Sequence, residues 1–326
     1  MADTARHIIG RHPLAGAGHI ISISQKIGIE GLLEGFLYNL EAEGKSETTI
    51  GSYAHAVRRY VKVASAHALP TEPSEITKDH IRIFLAQLRQ DGLAAVSCRD
   101  YMVSLGLFFK WLMGEGLLAQ NPCDGIKTPR PDRKTKKGLT IDQVRDLIKV
   151  VDREPDNAKA LRDMLIIYLL SDCGIRASEL CDLELADVDV NRLEINIRQG
   201  KGRKQRRVAF GTRTRTVLWS YVKLVRGERP GSLIQGMRGQ PLCRTSLAHL
   251  LNKLAQATDW PDKHCGPHKF RRLFAVESLR GGLDPFRVQL LLGHEKLDMT
   301  RLYAAELSLD DAIEAQRKVS ISDRLK

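Results

Sequence analysis

Apolar residues recur at helical spacing along most of this chain, and this periodicity restricts the fold more than any other feature of the sequence. It predicts four helices in the first third of the chain, which begin near residues 29, 46, 77 and 96. One short region departs from the pattern, because residues 193–197 and 208–210 alternate as two strands around a Gly-Lys-Gly turn. The sequence therefore predicts a mainly α fold with a small antiparallel β-sheet.

The segment 121–137, NPCDGIKTPRPDRKTKK, separates two regions of regular periodicity. Its prolines, its dense basic charge and its lack of apolar spacing are typical of a linker. A helical domain is thus expected over residues 27–120, after an N-terminal extension of residues 1–26 whose pattern indicates no element. A second domain is expected over 138–326, and it opens with Thr140 and Gln143 spaced as a helix capping box.

The charge balance favours a polyanionic partner. The 326 residues include 51 Lys and Arg against 39 Asp and Glu, which gives a net charge of +12. Nucleic acid is the leading candidate, although a basic soluble protein without such a partner is about as consistent with charge alone. The short apolar runs predict no membrane span and no secretory signal, so a cytoplasmic location is expected.

The cysteines and histidines give little support for a disulfide framework or a metal site. The six cysteines are scattered without CxxC pairs, as reduced thiols are. His264, Cys265 and His268 lie close together, but adjacent residues rarely point at one ion and a fourth ligand is missing. We therefore expect neither a metal nor a cofactor.

Two motifs in the first half of the second domain contain basic residues suited to phosphate. Arg176 follows a buried helix and a glycine, with Glu179 three residues on, a spacing that also occurs in ordinary structural ion pairs. Lys201 stands between two glycines at the tip of the predicted hairpin. The basic residues around it are candidate DNA contacts or a charged solvated turn: Arg198, Arg203, Lys204, Arg206 and Arg207.

Two further motifs lie near the C-terminus. His268 and Arg271 share one face of a helix that begins near a proline, so one phosphate can meet both, and Lys269 and Arg272 add charge beside them. His294 ends the segment LLGH and precedes Tyr303 by nine residues. A tyrosine on an amphipathic stretch is more often a core or interface residue than a catalytic one.

Taken together, the succession GIRASEL, GKG, PHKFRR, LLGH and MTRLY resembles the tyrosine recombinases of the phage integrase type, which include the Xer proteins, in order and in spacing. Residues 27–120 also resemble the helical core-binding (SAM-like) domain of that family, and 138–326 its catalytic domain. The chain departs from the common family pattern at Arg272, often a histidine there, and at Phe274.

The resemblance implies a role for each residue. Arg176 and Arg271 would clamp the non-bridging oxygens of the scissile phosphate, and His294 would donate a hydrogen bond to it. Lys201 would protonate the departing 5′ oxygen, and Tyr303 would attack phosphorus to leave a 3′-phosphotyrosine. His268 would assist proton transfer at the nucleophile, with Glu179 orienting His268 and the two arginines.

The resemblance also implies partners, namely double-stranded DNA recombination sites and a homo-tetramer or hetero-tetramer on synapsed DNA. A helix from 308 to about 318 would pack against a neighbouring subunit or in cis. Two alternatives use related chemistry or the same fold. One is a type IB topoisomerase-like or telomere-resolvase activity; the other is a non-catalytic DNA-binding relative, which predicts a broken catalytic position.

Overall fold

The structure is a computed structural model. It describes residues 28–127, 138–198, 205–236, 238–294, 303–304, 307–308, 311 and 313. These residues fall into two compact units, one before and one after the segment 128–137. Within them no helix is both long and apolar enough to cross a bilayer.

The first unit is a bundle of four helices: α1 (Ile29–Ala42), α2 (Glu47–His67), α3 (Lys78–Gln90) and α4 (Ala95–Gly114). Hydrogen bonds between near neighbours in the sequence fix where α2 and α3 begin. The Ser46 side chain accepts a hydrogen bond from the Thr49 backbone N–H at 3.3 Å, which caps the start of α2. At the start of α3 the Thr77 backbone N–H donates to Nδ1 of His80 at 3.1 Å. The four helices predicted from the periodicity are all present.

Aromatic side chains fill the centre of this bundle. Phe36 and Phe108 meet edge to face with ring centroids 5.3 Å apart, and Tyr60 and Phe84 lie 5.4 Å apart. All four are buried, and each comes from a different helix. Because large rings bury the most apolar area per residue, they supply much of the stabilisation of this small unit.

The second unit contains seven α-helices within its described residues: α5 (Ile141–Asp152), α6 (Asn157–Cys173), α7 (Ala177–Asp182), α8 (Thr212–Tyr221), α9 (Arg244–Gln256), α10 (Pro267–Arg280) and α11 (Pro285–Leu292). The predicted capping box is formed, since the Thr140 backbone N–H donates to Oε1 of Gln143 and the Gln143 N–H donates to Oγ1 of Thr140. Helix α6 lies at the centre, packed against α5, α8 and α10.

A three-stranded antiparallel sheet flanks these helices, with the order β1 (Val188–Asp189), β2 (Glu194–Ile197) and β3 (Arg206–Ala209). In its register Ile195 pairs with Val208 and Ile197 with Arg206. Strands β2 and β3 match the predicted hairpin, whereas the two-residue β1 carries too little pattern to be foreseen. The mainly α fold with a small antiparallel sheet is confirmed.

Near the C-terminus, Ser308 and Asp311 make the reciprocal bonds of a helix start. The Ser308 backbone N–H donates to Oδ2 of Asp311 at 2.7 Å, and the Asp311 N–H donates to Oγ of Ser308 at 3.1 Å. The predicted helix over 308–318 lies for the most part outside the described residues.

Candidate active site

A glycine at the end of α6 sets the direction of the chain that leads to Arg176. Gly174 is left-handed, with φ +55°, and a Cβ there would lie 2.4 Å from Cδ1 of Phe274. Both the backbone conformation and the close approach of the ring require a glycine. The chain then turns into α7, with Arg176 as its N-cap residue.

Arg176 and Glu179 form a close pair at the start of α7. The Arg176 backbone N–H donates to Oε2 of Glu179 at 2.8 Å, and Arg176 Nη1 donates to Oε1 at 2.7 Å. A carboxylate at the third helical position also stabilises the positive end of the helix dipole. The Arg-x-x-Glu spacing in the sequence therefore corresponds to a real contact.

Glu179 has a second partner that the sequence did not indicate. Arg206 on β3 donates from Nη1 to Oε1 at 2.8 Å and from Nη2 to Oε2 at 2.7 Å, a bidentate pair. Burial by itself would raise the pKa of Glu179, but the hydrogen bonds from Arg206 and from the Arg176 backbone outweigh it and lower the pKa to about 2. Glu179 is thus ionised at neutral pH.

The position of Arg206 corrects the expectation that it contacts DNA. Its side chain is only 8% exposed, and its Nε donates to the Leu291 carbonyl at 2.6 Å. A signal for this was present in the sequence, because residues two apart on a strand share a face and Val208 points into the core. The basic residues beside it in the sequence favour a solvent-exposed position instead.

Arg271 on α10 is the most deeply buried of the predicted site residues, with 3% exposure. It donates from Nη1 to the Gly174 carbonyl at 2.8 Å and from Nη2 to the Leu292 carbonyl at 2.6 Å. Burial, followed by the nearby charge of Arg176, lowers the pKa of Arg271 to about 10. The guanidinium therefore remains charged at neutral pH.

Three arginines converge on the C-terminal end of α11, where the helix dipole is negative and the last carbonyls lack partners within the helix. Each arginine donates to one of three consecutive carbonyls: Arg206 to Leu291 at 2.6 Å, Arg271 to Leu292 at 2.6 Å and Arg176 to Gly293 at 2.9 Å. Two of these three guanidinium groups, those of Arg176 and Arg206, are hydrogen-bonded to the carboxylate of Glu179. The site thus has an excess of positive charge.

His294 follows directly on this helix end, after Gly293 with φ +63°. Burial and then the charges of Arg271 and Arg176 lower the pKa of His294 to about 4. At pH 7 its imidazole is neutral, so it carries one N–H donor and one acceptor.

Tyr303 lies beside His294, with the two ring centroids 5.9 Å apart. The guanidinium carbon of Arg272 lies 5.7 Å from the centroid of the Tyr303 ring, a cation–π contact. The ring packs on an apolar cluster of α10 and α11 that includes Leu279 and Leu292. The half-buried Tyr303 therefore packs on the core and also lies at the edge of the charged site.

Of the two remaining predicted catalytic residues, His268 lies apart from this group and Lys201 is not among the described residues. His268 is exposed on α10 and makes no hydrogen bond to the other site residues within the described ranges, whereas Glu179 contacts two arginines. Lys201 lies outside the described residues, together with Arg203 and Lys204.

The other predicted DNA contacts that the structure describes have acidic or aromatic partners. Arg198 pairs with Asp187 at 2.6 Å and Glu184 at 3.0 Å, Arg207 with Glu194 at 3.0 Å, and Lys269 with Asp262 at 2.7 Å. Arg272 lies over Tyr303. These acids come from other turns and strands, so sequence proximity did not reveal them. Among the described side chains, no group of three His, Cys, Asp or Glu could hold a metal ion.

The order of these residues matches a known family. The sequence profile of the phage integrase family matches residues 137–308, and that of the phage integrase N-terminal SAM-like domain matches residues 32–117. The chain belongs to the phage integrase family. The family resemblance of the five motifs is thereby confirmed.

Individual relatives of this phage integrase are tyrosine recombinases of the Xer type. Tyrosine recombinase XerA of Thermococcus kodakarensis is 31% identical over 296 residues, covering 90% of this chain and 97% of that protein. Tyrosine recombinase XerD of Listeria monocytogenes is 31% identical over 279 residues, covering 83% and 93%.

Solved structures share the fold of this phage integrase. A lambda integrase tetramer bound to a Holliday junction superimposes with a TM-score of 0.70 at 19% identity, covering 86% of this chain and 78% of that one. The Tn1549 transposon integrase in complex with transposon right end DNA gives 0.68 at 17% identity, covering 90% and 100%.

Proposed function

We propose that this phage integrase cuts and rejoins DNA at specific sites through a covalent 3′-phosphotyrosine on Tyr303. The observation that carries the proposal is the meeting of Arg176, Arg271, His294 and Tyr303 at the C-terminal end of α11. Two guanidinium groups, a neutral imidazole and a phenol beside one another suit a phosphodiester, which is anionic and needs a nucleophile.

In the proposed step the Tyr303 oxygen forms a bond to phosphorus while the bond between phosphorus and the 5′ oxygen breaks. The phenolic proton passes to solvent, with the exposed His268 on α10 as the proposed relay, and Lys201 donates a proton to the leaving 5′ oxygen. The later attack of a 5′ hydroxyl on the phosphotyrosine reverses the step on another strand. Since each step exchanges one phosphodiester for another, no ATP is required.

The arginines supply the charge that this step needs. Negative charge grows on the two non-bridging oxygens in the transition state, and Arg176 and Arg271 are proposed to neutralise it from fixed positions. A neutral His294 adds one hydrogen bond without adding to the repulsion among the cations. This fixed positive charge does the work that a metal ion performs in other phosphoryl-transfer enzymes.

The partners follow from the proposed reaction. We propose that the chain binds double-stranded DNA recombination sites and exchanges strands as a tetramer, either of this chain or with a related one. Support comes from a fold shared with a lambda integrase tetramer on a Holliday junction. The DNA substrate also favours action in the cytoplasm.

The test starts from a DNA site that is selected from a random duplex library by its binding to the Tyr303→Phe variant. That duplex is then nicked close to the cleavage position, so that the short strand diffuses away after cleavage and the covalent protein–DNA adduct accumulates. The unmodified chain should form the adduct, whereas Tyr303→Phe should form none and bind the duplex within about twofold, because only the attacking oxygen is lost.

Tyr38→Phe is the matched control, since it removes the same oxygen from an exposed residue of the first unit. It should leave adduct formation unchanged. An adduct of ordinary yield with Tyr303→Phe, or none with the unmodified chain on its selected site, would refute the proposed function.

A further inference from the structure

We propose that Arg206 is a positioning residue for the phosphate clamp, the pair Arg176 and Arg271. Arg206 would hold Glu179, Arg176 and the end of α11 in their reactive arrangement before DNA binds. The inference rests on the proposed function. It assigns to Arg206 a role in the reaction without contact to the phosphate.

All three guanidinium nitrogens of Arg206 are hydrogen-bonded within the protein rather than facing a DNA phosphate. Nη1 and Nη2 are both used by Glu179, and Nε is used by the Leu291 carbonyl. The side chain is 8% exposed, whereas that of Arg176 is 26% exposed. Arg206 is therefore the buried support, and Arg176 is the group that faces outward.

The balance of charge explains why the clamp needs this support. The carboxylate of Glu179 is shared between two guanidinium groups, one from each arginine. Without Arg206 the carboxylate would have Arg176 as its sole cationic partner among these contacts. This buried carboxylate, left with one cationic partner in place of two, would then attract Arg176 more strongly and compete with the phosphate for it.

Arg206 also joins three separate parts of the second unit. It lies on β3, where it pairs with Ile197 of β2, and it reaches both the start of α7 and the last turn of α11. Lys201, the proposed general acid, is five residues earlier in the sequence. One planar side chain thus links the strand that follows Lys201 to the helix ends that carry Arg176 and His294.

Arg206→Lys is the informative substitution, because it keeps the charge and loses the planar three-nitrogen geometry. On the selected nicked duplex it should bind within about twofold of the unmodified chain but form the adduct about 10²-fold more slowly, the usual effect of a clamp displaced by about 1 Å. The control is Arg192→Lys, on the turn before β2, where the arginine side chain is 71% exposed and lies 3.8 Å from Asp189. It should cleave at the normal rate.

A second substrate separates positioning from general stability. Replacing one non-bridging oxygen of the scissile phosphate by methyl gives a neutral methylphosphonate, on which charge neutralisation by Arg176 matters less. The Arg206→Lys defect should shrink to less than about tenfold on this duplex, if it acts through the clamp. A defect of equal size on both duplexes, or a normal rate on the phosphodiester, would overturn the inference.

A double variant, Arg206→Gln with Glu179→Gln, removes both buried charges together and serves if Arg206→Lys does not fold. The same pair of substrates then decides, with the same two expectations. If the unmodified chain forms no adduct, the proposed function fails and this inference fails with it. If the unmodified chain cleaves and the variants cleave as fast, only the role of Arg206 is refuted.

Discussion

Gly174→Ala tests whether the turn at the end of α6 positions the clamp. The new Cβ would lie 2.4 Å from Cδ1 and 2.7 Å from Cγ of Phe274, on a backbone with φ +55°. The Gly174 carbonyl also accepts the hydrogen bond from Arg271, and Arg176 follows two residues later. A shift of this turn would therefore move both arginines of the proposed clamp.

The expected loss of stability has two parts. A left-handed backbone costs an L-residue about 1–2 kcal/mol relative to glycine. Overpacking of a close-packed site costs about 1–3 kcal/mol more. We therefore expect Gly174→Ala to lower the free energy of unfolding by about 2–5 kcal/mol.

The control is Gly282→Ala, at a glycine with φ +95° just beyond the end of α10. Nothing lies within 4 Å of the Cβ there, so only the conformational cost of about 1–2 kcal/mol is expected. Phe274→Leu combined with Gly174→Ala should recover part of the packing loss, because the planar ring that meets the new methyl is gone.

Both substitutions are measured by urea unfolding and by adduct formation on the selected duplex. Gly174→Ala should slow cleavage even under conditions in which the chain is fully folded, whereas Gly282→Ala should cleave normally. Equal loss of stability in the two variants, or normal cleavage by folded Gly174→Ala, would refute the argument that the Gly174 turn sets the clamp.

Three further predictions concern protons. On folding, the pKa of Glu179 falls from 4.5 to about 2, so its ionisation stabilises the folded chain by about 3 kcal/mol above pH 4.5, and this stabilisation is lost as the pH falls towards 2. Glu179→Gln should therefore flatten the acid limb of the curve of stability against pH, and an unchanged limb would contradict the pairing with Arg206. The imidazole of His294, identified by comparison with His294→Gln, should titrate near pH 4 by NMR, and a midpoint near 6.5 would contradict its burial among the arginines. When sulfur replaces the bridging 5′ oxygen of the DNA, the leaving group needs no proton, so Lys201→Ala should cleave this DNA almost as fast as the unmodified chain, while Arg176→Ala should stay slow. Selective rescue of Lys204→Ala would instead show that Lys204 is the general acid.

Much of the fold follows from local patterns in the sequence. The helices of the first unit have regular apolar spacing, and the start of α5 has a capping box in which both partners lie within three residues. Such features depend on near neighbours along the chain, so they can be inferred without tertiary contacts. The two-residue strand β1 has no such pattern, because its pairing with β2 is what makes it a strand.

In the candidate site, too, some features follow from the sequence and others depend on tertiary contacts. The sequence identified Arg176, Arg271, His294 and Tyr303 as a set, through motif order and a resemblance that the family match confirms. It also placed Glu179 beside Arg176, since a spacing of three residues at a helix start brings the two together. It could not give the exposed position of His268, because which face of α10 is covered depends on what packs against it.

Arg206 shows what only the tertiary structure decided. Its partners lie 27 and 85 residues away in sequence, at Glu179 and Leu291. Among the basic residues that follow Lys201, nothing local distinguishes a buried arginine from a solvated one, apart from the alternation along a short strand. The register of β3 turns this side chain inward, and the packing of α7 and α11 against the sheet brings a carboxylate and a helix end within reach of it. The chemistry of the residues is therefore encoded locally, whereas the choice of partner for each charge depends on which elements meet in the folded chain.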